Sequence, residues 1–472
     1  MMTTQGTTTE QHTELPEDFL PRQSVEFQTI YPVAASERHG RARDLLALWF
    51  GANMTMLTVT TGGVMRGTFH LTPLTAVIAA IVGNLIGGLF MALHAAQGPH
   101  LGIPQMVQSR AQFGMIGAAP MTALIVIMFL GFSASNLVLG AQGLATMNGH
   151  MGGTAGMLIV AFLSLVPAVL GYRAIHGATR IASVLCGAAV LTCLVVALYH
   201  IPRTGAWWVS DGHDTVPGFL GAMSLAALWQ IAYAPYVSDY SRYLPSSRAG
   251  ERQAFHATYW GCVLGSFVAM LIGVVTGANV AAVLGTELGW LAAPVLGVLS
   301  LGIIIANAMN LYCGALSSIT VFQTLAPHRH FGRGWRVAIS ITLLMVATML
   351  AVIMSDQFDK AYAGFLELLM AIMVPWSAIN LVDYYLLRHG NYDLPSFFAA
   401  DGGVYGRFNL RAMLSYLFGL VVQVPFLANE LYMGPFAHAF GGADLSWVFG
   451  LARTGLVYAV AMRNTGQGKT TE

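Results

Sequence analysis

The sequence predicts an all-α polytopic membrane protein with twelve transmembrane helices, and composition and the length of the apolar runs predict it. Of the 472 residues, 56% are hydrophobic and 9% are charged, whereas an ordinary soluble domain carries about 25% charged residues. The mean hydropathy is +0.64. The apolar residues fall into runs of about 20 or more, enough for a helix to cross a hydrocarbon core about 30 Å thick. The alternating strands of about ten residues that form membrane barrels are absent.

Twelve apolar runs are long enough to be spans. In chain order the predicted spans are 45–64, 72–96, 117–146, 155–171, 179–199, 218–238, 256–284, 291–325, 336–354, 362–387, 411–432 and 444–462. Basic residues orient them, because loops rich in Lys and Arg stay in the cytoplasm. With a cytoplasmic N-terminus, 18 of the 22 Lys and Arg fall inside, Arg66, Arg203 and Lys360 fall outside, and Arg453 lies within the last span. We therefore expect a plasma (inner) membrane protein with both termini in the cytoplasm.

Several function classes are excluded by what the chain lacks. The net charge of +1 gives no reason to expect nucleic acid as a partner. The four cysteines all lie inside predicted spans, which makes a disulfide framework unexpected. Neither the HExxH zinc motif nor the GxSxG nucleophile elbow occurs, so the sequence predicts no enzyme, no catalytic residue and no metal site. The partners we expect are the bilayer and a small molecule, with no obligate protein partner and no cofactor.

The first span carries the signature of a broken helix. Gly51 and Asn53 stand at its centre and are followed by several threonines. A Gly beside an Asn offers an unwinding point with polar groups free to contact a solute. The alternative is a face of Gly and Thr that packs against another helix.

The sixth span also contains a break. Pro235 removes one helical hydrogen bond and clashes with the preceding turn. Trp229, Gln230 and Tyr233 lie just before it, and an aromatic face beside an amide suits a planar ligand that forms hydrogen bonds. The alternative is a simple kink in an aromatic packing seam.

These two breaks occupy the same position in two halves of five spans. Interruptions at corresponding positions indicate a transporter site at the midplane of an inverted repeat. The halves show no residue-level similarity, so spacing alone predicts the repeat.

The predicted organisation has five parts. These are a cytoplasmic N-terminal segment 1–44 whose first 20 or so residues are disordered, a ten-helix core 45–387 with inverted halves 45–199 and 218–387, a cytoplasmic loop 388–410, two added helices within 411–462, and a cytoplasmic tail 463–472.

Two further spans present polar side chains on one face. Phe132 and Asn136 lie one turn apart in the third span, and Asn307 and Asn310 lie three residues apart in the eighth. Polar groups inside the bilayer usually face a cavity or a partner helix. We expect these amides to line a polar cavity, although a lone amide is often satisfied by a neighbouring helix.

The chain resembles the nucleobase–cation symporter family one, in its purine–cytosine permease branch. The resemblance runs from about residue 28 to 465 and is carried by Ile30-Tyr31-Pro32-Val33 through Glu37-Arg38, by Leu48 to Met54, by Tyr236 to Pro245, by Asn307 to Tyr312, and by Pro375 to Leu387. It implies a five-plus-five inverted repeat of the leucine-transporter type, with two extra C-terminal helices, that imports a nucleobase together with a cation.

The resemblance also implies which residues bind the substrate. In the family the base is sandwiched between aromatic residues of spans three and six, while amides and backbone groups of spans one, three, six and eight read its edge. Carried over by position, the substrate-binding residues are Gly51, Asn53, Phe132, Asn136, Trp229, Gln230, Tyr233, Asn307 and Asn310.

One departure from the family bears on the coupling ion. Sodium-coupled relatives carry two hydroxyl residues where this chain has Ile305 and Ala306, and Ile supplies no oxygen ligand. The departure favours protons over sodium, with Glu367, the only carboxylate well inside a predicted span, as the candidate carrier. The alternative for Glu367 is a packing role, hydrogen-bonded to a neighbouring helix. In another register, Thr55, Thr58, Ser317 and Ser318 would build a sodium site instead.

Two acidic residues lie at the cytoplasmic ends of spans. Asp239 and Asp383 stand close to Arg242 and Arg388, which predicts a gate or structural role. The function we expect is import of cytosine or a purine by proton-coupled symport with alternating access. The alternatives are a symporter for another planar heterocycle, such as hydantoin, allantoin or a vitamin ring, and a passive channel.

Overall fold

The structure is a computed structural model that describes residues 30–147, 151–200, 214–277, 280–326, 329, 331–428 and 432–463. Within these ranges the chain is helical, apart from turns, short 3-10 segments and one isolated β-bridge between Ala428 and Met433. The α-helices are α1 (Ala42–Asn53), α2 (Met56–Phe69), α3 (Pro73–Leu101), α4 (Gln105–Phe113), α5 (Ala118–Met147), α6 (Gly153–Leu170), α7 (Tyr172–His200), α8 (Val216–Ile231), α9 (Val237–Ser241), α10 (Arg248–Thr276), α11 (Val280–Glu287), α12 (Ala292–Leu325), α13 (Arg333–Met354), α14 (Phe358–Leu381), α15 (Leu410–Gln423), α16 (Pro435–Ala439) and α17 (Ser446–Arg463).

The predicted spans coincide with helices in the structure. Among the described residues, nine helical segments are long and apolar enough to cross a membrane, and the bent pair α1–α2 makes a tenth. The two remaining predicted spans contain α15, which is shorter, and α17. The all-α fold class is therefore confirmed, and twelve spans are consistent with it. The predicted domain boundaries remain a prediction, and both chain ends lie outside the described residues.

Two spans end earlier than the sequence predicts. The seventh was expected to run through residue 284, but α10 ends at Thr276 and Gly277 adopts φ +74°, a left-handed conformation that favours glycine. The eleventh was expected to reach residue 432, but α15 ends at Gln423, two residues before Pro425. A left-handed glycine thus follows the end of α10, and a 3-10 turn that contains Pro425, Val424–Phe426, follows the end of α15.

The predicted helix breaks are present in the first and sixth spans. Helix α1 ends at Asn53 and α2 begins at Met56, with a bend of 56° between them. Thr55 caps α2, since its hydroxyl accepts a hydrogen bond from the Thr58 backbone N–H at 3.5 Å. In the sixth span, α8 gives way to a 3-10 turn, Ala234–Tyr236, that contains Pro235 and leads into α9.

The helices pack in two groups. Helix α10 packs against α1, α2 and α3, and α3 packs against α8; helix α5 packs against α6, α12 and α13. Close approach in the first group depends on glycine, because a Cβ at Gly87 of α3 would lie 2.2 Å from the carbonyl oxygen of Ala227 in α8. The two groups meet at the helix breaks.

Candidate functional site

A cavity lies where the broken helices face α5 and α12. Residues of four spans line it: the α1–α2 break, α5, the end of α8 with its following turn, and α12. The residues that line it are Ala52, Thr55, Leu57, Phe132, Asn136, Trp229, Tyr233, Tyr236, Ala306, Met309 and Asn310. Five of the nine residues predicted to bind substrate thus line the cavity, and they are Phe132, Asn136, Trp229, Tyr233 and Asn310.

Aromatic rings form two sides of the cavity. Phe132 of α5 and Trp229 of α8 lie with ring centroids 6.4 Å apart and planes at 84°. Trp229 and Tyr233 meet in a similar edge-to-face arrangement at 5.9 Å. Such rings offer apolar faces to a flat ligand and are held by their own edge contacts.

Two carboxamides supply the polar part of the cavity. Asn136 and Asn310 are 3% and 6% exposed, and neither side chain is hydrogen-bonded to another residue in the described part of the chain. Each carboxamide carries two donor hydrogens and an accepting oxygen. A buried polar group without a partner is costly, so these two amides are suited to bind a ligand with both donors and acceptors on its edge.

The other four predicted binding residues, Gly51, Asn53, Gln230 and Asn307, do not line the cavity. Asn53, Gln230 and Asn307 each directly follow a lining residue, namely Ala52, Trp229 and Ala306, and Gly51 precedes Ala52. One residue along an α-helix rotates the side chain by about 100°. These three polar side chains consequently point into the helix packing beside the cavity.

Asn53 and Gln230 belong to a buried hydrogen-bond network. The Asn53 Oδ1 accepts hydrogen bonds from Trp229 Nε1 at 2.8 Å and Ser266 Oγ at 2.6 Å. Gln230 Nε2 donates to Asn84 Oδ1 at 2.7 Å and Ser266 Oγ at 2.6 Å. The network therefore joins α1, α3, α8 and α10. Asn307 is fully buried, and neither its Oδ1 nor its Nδ2 has a hydrogen-bond partner among the described residues.

Sequence reasoning missed several lining residues. Tyr236 follows Tyr233 by three residues across Pro235, and this spacing was the available signal. Met309 and Leu57 are apolar and carry no signal that separates them from ordinary core residues. Thr55 was considered only as a cation ligand, yet it lines the cavity.

A cluster of buried aromatic residues forms the floor of the cavity. Trp49 is 0% exposed, and its ring centroid lies 5.6 Å from Tyr233, 6.1 Å from Tyr236 and 5.8 Å from Tyr240. Phe129 of α5 packs against Tyr236 at 5.1 Å. Tyr236 lies in the 3-10 turn and Tyr240 in α9, and α4 packs against both of these elements.

Helix α4 lies beneath this floor and is polar yet entirely buried. Its Arg110 donates to the Phe397 carbonyl at 2.9 Å, to the Thr320 carbonyl at 3.0 Å and to Gln323 Oε1 at 3.2 Å. Burial lowers the pKa of Arg110 to about 10. Gln323 Nε2 in turn donates to the Tyr31 hydroxyl at 2.9 Å. Polar contacts therefore tie α4 to α12 and to the chain before α1.

Both acidic residues predicted to be gate or structural groups contact α4. Asp239 Oδ1 accepts the backbone N–H of Gln105 at 2.9 Å. Asp383 accepts hydrogen bonds from the hydroxyls of Tyr392 and Tyr458, each at 2.8 Å. It also accepts hydrogen bonds from Gln112 of α4 and from Arg388. Neither residue lines the cavity. Glu367 lies on α14, and its side chain is outside the part of the chain that the structure describes.

The hydroxyl groups of the alternative sodium site are not brought together. The α12 residue that faces the α1–α2 break is Gly302, where a Cβ would lie 3.1 Å from the Met54 carbonyl oxygen. Ser317 and Ser318 stand 15 or more residues further along α12, about 22 Å away at 1.5 Å per residue. Thr55 and Thr58 are close, with their hydroxyl oxygens 3.2 Å apart.

Comparison with known proteins relates this architecture to a family of permeases. Residues 32–450 match a family model described as a permease for cytosine/purines, uracil, thiamine, allantoin. A putative purine-cytosine permease of Bacillus subtilis is 35% identical over 448 residues, which cover 93% of this chain and 96% of the relative. A purine-cytosine permease of Emericella nidulans is 24% identical, with 90% and 85% covered.

Solved structures agree in fold. The closed conformation of Mhp1, a nucleobase-cation-symport-1 family transporter with bromovinylhydantoin bound, superposes with a TM-score of 0.76 at 20% identity and covers 93% of this chain and 95% of its own. The inward-facing conformation of Mhp1 gives a TM-score of 0.72 at 19% identity, with 95% of both chains covered. The five-plus-five fold is thereby confirmed, and the chain belongs to the nucleobase–cation symporter family one, a family of membrane permeases and not of enzymes.

Proposed function

We propose that the protein is a secondary active transporter that imports a nucleobase, cytosine or a purine, by proton-coupled symport. The observation that carries this proposal is the pair of buried, unbonded carboxamides, Asn136 and Asn310, in a cavity walled by Phe132 and Trp229. A nucleobase has a flat face that stacks on aromatic rings and an edge with alternating donors and acceptors. A site built to pair with such an edge strongly rejects analogues that lack the matching group.

Alternating access is supported by the way the helices pack. The network of Asn53, Asn84, Gln230 and Ser266 holds α1, α3, α8 and α10 together. Helices α5, α6, α12 and α13 form the opposing group. In the proposed cycle the groups rock against each other around the cavity. Opening the Trp49 floor and the α4 contacts releases the substrate on the α4 side, which the distribution of basic residues assigns to the cytoplasm.

Proton coupling is supported by the surroundings of the first helix break. Sodium prefers oxygen ligands, and α12 places Gly302 against the break and carries Ile305 and Ala306 at the two positions where sodium-coupled relatives carry hydroxyl residues. None of these side chains carries an oxygen. Glu367 remains the candidate proton carrier, as the sequence predicts.

A ligand screen on the purified full-length protein tests the substrate class. Cytosine, adenine, hypoxanthine, uracil, allantoin, thiamine and a benzyl hydantoin are each added to the protein, with and without sodium, and thermal stability is recorded. A ligand that binds only the folded state raises the melting temperature by mass action. We expect stabilisation by cytosine or a purine. Stabilisation by allantoin, thiamine or the hydantoin alone would assign the alternative substrate class.

Uptake into proteoliposomes tests the coupling ion. With an inward proton gradient and no sodium, we expect substrate to accumulate inside the vesicles, and a protonophore should abolish the accumulation. If accumulation instead requires a sodium gradient at constant pH, the proton assignment is wrong. Rapid equilibration that is indifferent to either gradient would indicate a passive channel.

A further inference from the structure

Trp229 lines the cavity, and its indole N–H is hydrogen-bonded to a residue outside the lining, Asn53. Trp229 Nε1 donates to Asn53 Oδ1 at 2.8 Å. An indole has one N–H and no other hydrogen-bonding atom. With that N–H directed at Asn53, Trp229 offers a ligand its ring and no hydrogen bond, so recognition of the ligand's edge is left to Asn136 and Asn310.

The Asn53 carboxamide is itself fixed on every side. Its Oδ1 accepts a second hydrogen bond from Ser266 Oγ at 2.6 Å, and its Nδ2 donates to the Trp49 carbonyl at 2.8 Å. The amide is 0% exposed. Helix α10 approaches closely here, because a Cβ at Gly265 would lie 3.1 Å from the Asn53 Cβ and 2.7 Å from the Phe50 carbonyl oxygen. The side chain consequently has little freedom to turn.

We propose that Asn53 is a positioning residue for substrate recognition, which holds the Trp229 ring in its edge-to-face arrangement with Phe132 and Tyr233 through the bond from the indole N–H. Asn53 lies at the last turn of α1, directly at the helix break, while Trp229 lies on α8. The bond therefore couples the two broken spans at the level of the cavity. This proposal rests on the proposed function for its effect on ligand affinity, but not for its effect on the ring.

Fluorine NMR on ligand-free protein tests the ring directly. The nine tryptophans are replaced by fluorotryptophan, and the Trp229 resonance is assigned as the signal missing from Trp229→Phe. We expect Asn53→Leu to shift or broaden this resonance. Asn84→Leu is the matched control, because it removes a buried amide from the same network without touching Trp229, and it should leave the resonance in place. Ser266→Ala, which removes the donor to Asn53 Oδ1 and the acceptor of Gln230 Nε2, is the milder variant if Asn53→Leu does not fold.

A double-mutant cycle with labelled cytosine and adenine tests the consequence for affinity. We expect Asn53→Leu to weaken binding about tenfold, the order of one buried hydrogen bond, and to cause little further loss in a Trp229→Phe background. A Trp229 resonance that responds equally to Asn53→Leu and Asn84→Leu, or to neither, overturns the proposal, as do additive losses in the cycle. Absence of binding by the unaltered protein would count against the proposed function, while the NMR result would still decide the role of Asn53.

Discussion

The carboxamide of Gln323 in α12 joins Tyr31 to Arg110: its Nε2 donates to the Tyr31 hydroxyl at 2.9 Å, and its Oε1 accepts from the Arg110 guanidinium at 3.2 Å. Tyr31 also packs on Phe398 with ring centroids 5.2 Å apart. Burial raises the pKa of Tyr31, although Arg110 and the bond from Gln323 act in the opposite direction. The hydroxyl therefore stays protonated at neutral pH. This relationship links the chain before α1 to both α4 and α12.

Breaking this link is expected to favour opening on the α4 side. In Gln323→Leu the hydrogen bonds to Tyr31 and Arg110 are lost, so the contacts that hold α4 against α12 and Tyr31 are weakened. The reporter is Cys313, which is buried and whose thiol lies 3.4 Å from the Tyr240 hydroxyl in the floor. In a background where the other three cysteines are alanine, we expect a small maleimide to label Cys313 several-fold faster in Gln323→Leu. Thr342→Val, on the exposed face of α13, is the control, and equal labelling rates would contradict a closing role for the link.

Stacking on Phe132 is expected to contribute to the binding of every planar ligand. Base–aromatic stacking is worth about 1–3 kcal/mol per base, so Phe132→Leu should weaken binding of cytosine and adenine by roughly ten- to a hundredfold. Phe132→Trp keeps an aromatic face and should retain binding. Equilibrium binding of labelled base measures both. If Phe132→Leu binds as tightly as the unaltered protein, Phe132 does not stack on the base.

Contact between α3 and α8 is expected to tolerate no side chain at Gly87. The new methyl group of Gly87→Ala would lie 2.2 Å from the Ala227 carbonyl oxygen, and such overpacking costs typically about 1–3 kcal/mol. A lower melting temperature by scanning fluorimetry is the expected result. Gly364→Ala in α14 is the matched control, because a Cβ there meets nothing within 4 Å. The packing account is contradicted if both substitutions lower the melting temperature equally.

Low pH is expected to weaken the hydrogen bonds between Asp214 and the N-terminal end of α3. Asp214 accepts hydrogen bonds from the Thr72 backbone N–H at 2.8 Å and the Thr75 hydroxyl at 2.7 Å. Slight burial acts to raise the pKa of Asp214, but these hydrogen bonds lower it more, and the net pKa lies below its ordinary value. A lowered pKa means that the carboxylate stabilises the folded state above about pH 4 and loses this effect as the pH falls through the folded pKa.

The measurement is the melting temperature of the unaltered protein and of Asp214→Asn across a range of pH. We expect a small gap between the two at pH 7 that narrows below about pH 4, where the native aspartate is also neutral. A gap that is independent of pH would show that the charge of Asp214 is not what supports α3.

The sequence predicts the spans and breaks well, because their causes are local. Run length identifies the helices, and Pro235 and the Gly51–Asn53 segment mark the two interruptions that the structure contains.

The direction in which a polar side chain points is harder to predict from the sequence. Asn53, Gln230 and Asn307 are polar and were assigned to the cavity, while the residues that line it are their neighbours Ala52, Trp229 and Ala306. A polar residue inside a span serves equally well to join helices, and only packing decides between the two uses.

The burial of α4 could not be predicted from the sequence either. Its Gln, Ser and Arg residues suggest a solvated cytoplasmic segment, yet all nine of its residues are buried. The polar partners that permit this burial come from distant parts of the chain, such as Asp239, Gln323 and Asp383. No local sequence pattern predicts hydrogen bonds between residues so far apart in the chain.

A comparison of Asn310→Leu with Asn307→Leu tests the nucleobase site most directly. Both are buried amides on α12 three residues apart, but only Asn310 lines the cavity. With labelled cytosine and adenine, we expect Asn310→Leu to lose at least a hundredfold in affinity, since the ligand's edge group is left unpaired, while Asn307→Leu binds within a fewfold of the unaltered protein. The reverse pattern, or equal affinity in all three proteins, would contradict a nucleobase site built from Asn136, Asn310 and the aromatic walls.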